Sequence, residues 1–428
     1  MSYDVAAVRK NFPALAEGAA HFDAPGGSQV PQPVADAVAG TLTAAIANRV
    51  EVTAAERRAD GVVAAARQAM ADLLGGTPAG IVFGRSMTQL TYDVSRAMAK
   101  EWGPGDEVVV TRLDHDANIR PWVQAAEHAG ATVRWAAFDR DTGELPVDLV
   151  AAELTARTRL VAVTGASNLL GTRPDVAAIT AAAHRAGALA YVDGVHLTPH
   201  AFVDMVALGA DFYTCSPYKF CGPHLGVLAA APALLQTLHP DKLLPSADTV
   251  PERFEFGTLA YELMAGTTAA VDFLAGLLPD PGGPAGSAAP ATPDGPAAGD
   301  GPAAVDGPAA VDRRERLRHS LGALEEHETG LLRRLEEGLD RIGGITRHGR
   351  AARRTPLTLF SVAGLAPDRV YRELGAAGVN APAGSFYAVE CARWMGLGDA
   401  GAVRAGLAPY TDASDVDRLL DALAALPR

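Results

Sequence analysis

The 428-residue chain is predicted to be an α/β protein: a mostly parallel, seven-stranded sheet in a large domain, followed by a smaller α+β C-terminal domain. Three observations lead there. Between about residues 60 and 230, short apolar runs alternate with helix-like, Ala-rich stretches. The runs are apolar on both faces, as strands covered by helices on both sides must be. After a low-complexity interruption, a charged and periodic segment opens a stretch of different texture.

Residues 1–50 are expected to pack with the small domain or against a partner, and 51–278 to form the large domain. Seven runs supply its strands: GIVF (80–83), DEVVVT (106–111), ATVRWAAF (131–138), RLVAVTGAS (159–167), ALAYVDGVH (188–196), DFYTCS (211–216) and GVLAA (226–230). Segments such as VAAITAAAHRAGA (176–188) are apolar at helical spacing and supply the crossovers. Residues 279–312 repeat DGPAA at 294, 300 and 306 and contain no aromatic residue. Such a stretch buries too little to offset its ordering entropy, so a disordered insertion is expected. RRERLRHSLGALEEHETGLLRRLEEGLDRI, from 313, predicts a long linking helix. The small domain (313–428) continues with TPLTLFSV (355–362), a helix at 367–378 and a last helix at 414–426.

Composition narrows the function. With 37 basic and 50 acidic residues the formal charge is −13, a poor match for a phosphate backbone, so no nucleic-acid partner is expected. No apolar run reaches the roughly 18–20 residues that span a bilayer, so no membrane role is expected. The opening MSYDVAAVRKNFPAL has no long apolar stretch, and three cysteines make no disulfide framework, which together predict a cytoplasmic setting. Only four basic residues are lysines: Lys10, Lys100, Lys219 and Lys242. In a chain that writes Arg so consistently, each lysine is a candidate for a role that needs an amine.

Ligands of such sheets bind beyond the carboxyl ends of the strands. There YVDGVH ends one run with Asp193 and His196, and CSPYKF ends the next with Ser216, Tyr218 and Lys219. One helix and one strand thus deliver a carboxylate and an amine to one sheet edge. An ion pair is the plain alternative. The chemical reading is a pyridoxal 5′-phosphate (PLP) site, with the lysine amine on the cofactor aldehyde and the aspartate on the pyridinium nitrogen. A metal site built on His196 and His200 is disfavoured, because Pro199 interrupts the helix that their spacing would need.

Eight blocks, in order, resemble the class V aminotransferase group of fold-type I PLP enzymes, and within it the cysteine desulfurase-like proteins. They are FDAPGGSQVP (22–31), VFGRSMTQLT (82–91), RLDHDANIRPW (112–122), TGASNLLGT (164–172), VDGVHLTPH (192–200), SPYKFCGPHLG (216–226), RFEFGT (253–258) and VRAGLAPYTDASDVDRL (403–419). The resemblance implies a role for each matching residue. Lys219 carries the cofactor, Asp193 holds its ring nitrogen and His115 stacks on its ring. Met87, Thr88, Ser216 and Tyr218 surround its phosphate, as backbone N–H groups at a helix start suit an anion. His196 stands where desulfurases usually carry Gln, near the ring oxygen, and Asn168 lies by that oxygen or the substrate. Thr258 is lent by the second subunit of a homodimer, and Arg404 clamps the substrate carboxylate.

The chain departs from that pattern at two places. At the position of the desulfurase loop cysteine, NAPAGSFYAVECARWM (380–395) carries Tyr387, and Cys391 follows one helical turn later, displaced by roughly 5–6 Å. After FGT stands LAYE, so Leu259 and Tyr261 are expected to reshape the substrate pocket. PLP machinery without the sulfur nucleophile points to β-elimination at a carbon–sulfur bond of a cysteine S-conjugate, with natural-product biosynthesis as the expected setting and Phe386 and Tyr387 against the S-substituent. Decarboxylative or oxidative deamination, transamination, epimerisation and desulfuration through Cys391 begin from the same machinery. A non-catalytic sulfur-carrier partner is the alternative of a different class.

Overall fold

The computed structural model of the protein describes residues 3–279 and 312–427. The low-complexity stretch, apart from its two end residues, lies outside the described residues.

Thirteen strands are present among the described residues: β1 (Ala20–His21), β2 (Ile81–Gly84), β3 (Glu107–Thr111), β4 (Thr132–Ala136), β5 (Thr158–Thr164), β6 (Leu189–Asp193), β7 (Phe212–Cys215), β8 (Gly226–Ala230), β9 (Ile345–His348), β10 (Leu357–Val362), β11 (Val379–Asn380), β12 (Ala383–Gly384) and β13 (Ala402–Gly406). The seven apolar runs become β2 to β8 and form one sheet in the order β2-β8-β7-β6-β5-β3-β4. Only β8 runs against the others.

The sheet is buried on both faces for the reason its sequence gives. Val109, Val161, Val163, Val192 and Tyr213 point into one core. Their chain neighbours Val108, Val110, Leu160, Ala162, Tyr191 and Phe212 point into the other. Side chains alternate along a strand, so only strands apolar at every position can face two cores. Helices Met87–Ala99, Arg120–Ala129 and Val176–Arg185 make crossovers between parallel strands.

β12-β13-β10-β9 form a second, antiparallel sheet over a third core. The helix Arg313–Arg341 ties it to the large sheet. Leu317, Leu321 and Leu324, near its start, enter the first core. Leu331, Leu332, Leu335 and Leu339, further on, enter the third. The N-terminal segment also divides: β1 pairs in parallel with β11, while helix Gln32–Thr43 packs on helix Tyr261–Ala275. A Cβ on Gly266 would come within 2.6 Å of Val38 there. Among the described residues no helix is long and apolar enough to cross a membrane.

Candidate active site

The chemistry-bearing residues gather where β3, β5, β6 and β7 end. Register pairs Thr164 with Asp193 and Asp193 with Thr214, so the turns after β5, β6 and β7 leave the sheet at one level. Asp193 is the last residue of β6. Gly194 follows it because any side chain there would strike the Tyr213 ring, only 1.9 Å from an added Cβ. Ser216 follows β7 and leads into the tight turn Pro217–Lys219. His115 follows β3 and accepts the Ala117 N–H on Nδ1 at 3.0 Å. Its neutral ring therefore carries its proton on Nε2.

Burial governs the charges. The Asp193 carboxyl is pushed up to about 6 by desolvation, against the pull of the Val195 N–H (2.9 Å) and of Lys219. Desolvation and the nearby Arg404 cation push the Lys219 amine down to about 7, with Asp193 opposing. Nζ donates to the Pro25 carbonyl and lies 5.1 Å from the Tyr218 ring centroid. His115 is lowered to about 4 by burial, with Lys219 and Arg404 adding to the effect, and stays neutral.

Arg404, on β13, is 2% exposed. Its Nη1 donates to the Asn168 carbonyl at 2.8 Å, and the Phe386 ring centroid lies 3.7 Å from its Cζ. Burial lowers it to about 9, so it stays charged at neutral pH, and Asp23 opposes that shift. A cleft of about 500 Å³ opens beside it, lined by Asp23, Gly26, Ser28, Tyr218 and Phe386 among others.

Two polar atoms of the cleft lining, Asp23 Oδ1 and Arg404 Nε, are buried without a hydrogen-bond partner, and so are Ser216 Oγ, His196 Nδ1 and Asn168 Oδ1 in the turns after β7, β6 and β5. An unmet buried polar atom costs about 1–3 kcal/mol, so five of them on the cleft lining and the strand-end turns mark a place built for a polar ligand. PLP fits the set. Lys219 could supply the amine for its aldehyde, Asp193 a carboxylate for its ring nitrogen, and His115 a neutral ring for its face. Ser216 and the first N–H groups of helix Met87–Ala99 suit its phosphate. Ser86 caps that helix by accepting only the Gln89 N–H, at 3.1 Å. Gly226 lets β8 pass against its start, where a Cβ would come within 2.4 Å of Met87 N.

Not every expected residue joins the cleft. Tyr261 begins its helix with the ring packed in the first core and is not among the residues that line the cleft. Leu259 also packs against that core. Thr88 and Thr258 are exposed, the latter just before the same helix as Tyr261. Phe386 and Tyr387 are both left-handed, at φ 52° and 58°, a costly backbone for residues with a Cβ. Tyr387 is 74% exposed and its ring centroid lies 5.6 Å from that of His115. Cys391 is wholly buried in helix Val389–Trp394, and burial pushes its thiol far up. Cys215 and Cys221 are buried core residues.

Several contributors were not singled out from the sequence. Pro25 and Gly26 lie within the FDAPGGSQVP block, which did point to their segment. Glu390 had no local signal. It pairs with Arg112 at 2.9 Å and with Arg120 at 2.6 Å, holding the Tyr387 loop against the turn that carries His115. Nor did Glu328, whose Oε2 lies 3.0 Å from His200 Nδ1 in a buried pair.

A lysine and a buried aspartate at the strand ends of such a sheet, with a buried arginine reaching in from β13, are the set that a PLP-dependent enzyme needs. Residues 20–278 and 317–419 match the family model of aminotransferase class V. The chain is 34% identical to the uncharacterized protein MT3887 of Mycobacterium tuberculosis over the whole of both chains. It is 31% identical to a probable cysteine desulfurase of Pseudomonas aeruginosa, covering 97% of this chain and 96% of that one. The crystal structure of the cysteine desulfurase CsdA from Escherichia coli superposes with a TM-score of 0.80 at 26% identity, covering 99% of this chain and 98% of that one. The protein belongs to the class V aminotransferase family, and its cofactor is PLP.

Proposed function

We propose that the protein is a carbon–sulfur β-lyase acting on an S-substituted cysteine. One observation carries the reading: next to the cleft-lining Phe386 the loop offers the exposed Tyr387, while Cys391 is sealed in the core. A persulfide-forming thiol must come within about 3–3.5 Å of the substrate sulfur, and a buried, protonated thiol does not attack.

When bound, PLP supplies an electron sink for a carbanion at the substrate Cα. The remaining tasks fall to the chain. Arg404 holds the α-carboxylate through the Nε that lacks a protein partner. Asp193 keeps the cofactor ring nitrogen protonated. Lys219, with an amine near neutrality, takes the proton from Cα. The Cβ–S bond then breaks with its electron pair leaving on sulfur, which is released as a thiol. The remaining three-carbon unit takes up water and leaves as pyruvate and ammonium, so the reaction needs no oxidant. Phe386 and Tyr387 face the S-substituent. A homodimer is part of the proposal, with Thr258 of one subunit reaching the phosphate site of the other. The three free cysteines suit a reducing cytoplasm.

The test is incubation of the PLP-loaded enzyme with cysteine, an S-alkyl cysteine and a bulky cysteine conjugate. Equimolar pyruvate and thiol from the conjugates supports the lyase. Alanine from free cysteine, together with a persulfide on Cys391, overturns it in favour of desulfuration.

A further inference from the structure

We propose that Thr355 sets the tautomer of His196 and so makes this histidine a hydrogen-bond donor to the bound cofactor. The inference rests on PLP occupying the cleft with its ring oxygen near His196.

His196 is 3% exposed. Its Nε2 lies 2.9 Å from Thr355 Oγ1, and its Nδ1 is buried with no partner. The Thr355 hydroxyl has a single proton and two acceptors in reach, His196 Nε2 and the Gly171 carbonyl, the latter at 3.2 Å. That carbonyl already receives the Thr355 N–H at 2.9 Å. The hydroxyl proton is therefore better used on Nε2, at the shorter distance. Nε2 becomes an acceptor, and the ring proton of neutral His196 moves to Nδ1. The opposite tautomer would leave Nδ1 as a buried lone pair, which could only accept from a ligand.

The surroundings keep the ring neutral. Burial holds His196 well below the ordinary histidine range, and the groups facing it add to the effect. These are His200 on its own segment, with ring centroids 5.2 Å apart, Lys219 on the turn after β7 and Arg404 on β13. Glu328, on the long helix, reaches no further than His200 Nδ1, at 3.0 Å. Neutral His196 thus presents one N–H, at Nδ1. An anionic ring oxygen is the complement of such a donor, and the bond favours the deprotonated form of the bound cofactor. Thr355 does not touch the cofactor on this account. It is a positioning residue, held at the approach to β10, that also ties down the turn carrying Asn168.

Two measurements test this. In cofactor-free protein with ring-15N-labelled histidine, the His196 signals, assigned by their loss in His196→Gln, should report a protonated Nδ1 and a bare Nε2. Protonation at Nε2 overturns the proposal whether or not any Thr355 variant folds. In PLP-loaded protein, Thr355→Val should raise the midpoint of the visible-band pH titration by about one unit, while Thr355→Ser leaves it in place. Gln donates without a tautomer choice, so adding Thr355→Val to His196→Gln should shift nothing further. An unshifted Thr355→Val, or an equal shift in the Gln background, defeats the proposal. A wild-type protein that binds PLP without a lysine-linked visible band would instead defeat the Lys219 assignment.

Discussion

At Lys219 three influences meet: burial and the Arg404 cation favour the neutral amine, and Asp193 favours the charged one. The result, about 7, would govern cofactor uptake through the proposed Lys219 linkage, because only the neutral amine attacks an aldehyde. A lowered lysine is neutral above its pKa and charged below it. The rate of visible-band growth on mixing cofactor-free protein with PLP should therefore fall about tenfold per pH unit below about 7 and flatten above 8. A rate still climbing tenfold between pH 8 and 9 would mean an ordinary lysine. Arg404 poses the complementary problem of a buried cation without a carboxylate bonded to it. Arg404→Ala should lower kcat/KM for amino-acid substrates by roughly 30- to 1000-fold, with PLP occupancy unchanged. Wild-type activity that is equal on an amino acid and on its decarboxylated amine would refute the clamp.

The loop from Ser385 to Leu397 shows how an element acquires a role that its own sequence does not announce. Its carbonyls are pinned by the large domain: Tyr387 O accepts from Asp116 N at 2.7 Å, and Phe386 O from Asn168 Nδ2 at 2.9 Å. Glu390 adds its two arginines, and Arg112 lies between the Trp135 and Trp394 rings at 5.0 and 5.2 Å. The loop is a fixed wall of the cleft. Glu390→Gln removes two half-exposed pairs, each worth up to about 1 kcal/mol. Local opening of 385–397 should rise roughly five- to thirtyfold, read as faster amide exchange, with KM rising more than kcat falls. Unchanged exchange would show that the hydrogen bonds and tryptophan packing suffice. None of this was legible in the sequence, since Glu390 and Arg112 are 278 residues apart and Thr355 and His196 are 159 apart. The seven strands were legible because being apolar at every position is a local signal. Asp193 and Lys219 were legible because each closes its own strand–turn unit. Strand order was not, because it rests on pairing between segments far apart in the chain, and the burial of Tyr261 was not, because position after FGT does not say which helix face turns inward.

Among the expected contributors that stay outside the cleft, Thr258 bears on the whole molecule. Thr258 is exposed in the chain taken alone, and large apolar side chains on its own and an adjoining segment are exposed too. Phe256 is exposed two residues before it. Val50 and Val52, also exposed, follow Arg49, which pairs with Glu252 at 3.2 Å. Solvent-facing aliphatic and aromatic side chains on adjoining segments are interface material, and a second copy of the chain is the occupant proposed for them. The segment that carries Thr258 is rigidly presented: buried Arg67 grips Glu255 with two bonds of 2.8 and 2.9 Å, and Glu255 also accepts the Phe83 N–H. If Thr258 serves the phosphate site of its partner, two dead variants should rescue each other. Lys219→Ala removes the amine of its own site. Thr258→Asp places a negative charge against the phosphate in the neighbouring site. In a mixed dimer, the site built on the Thr258→Asp chain has its own Lys219 and an intact Thr258 from the partner, while the other site is doubly broken. Equal mixing after subunit exchange makes half the dimers mixed, so about a quarter of the wild-type activity should return. A contribution within one chain predicts no recovery, because every site with a lysine would then keep its own aspartate. A monomeric protein in solution would defeat the shared site outright.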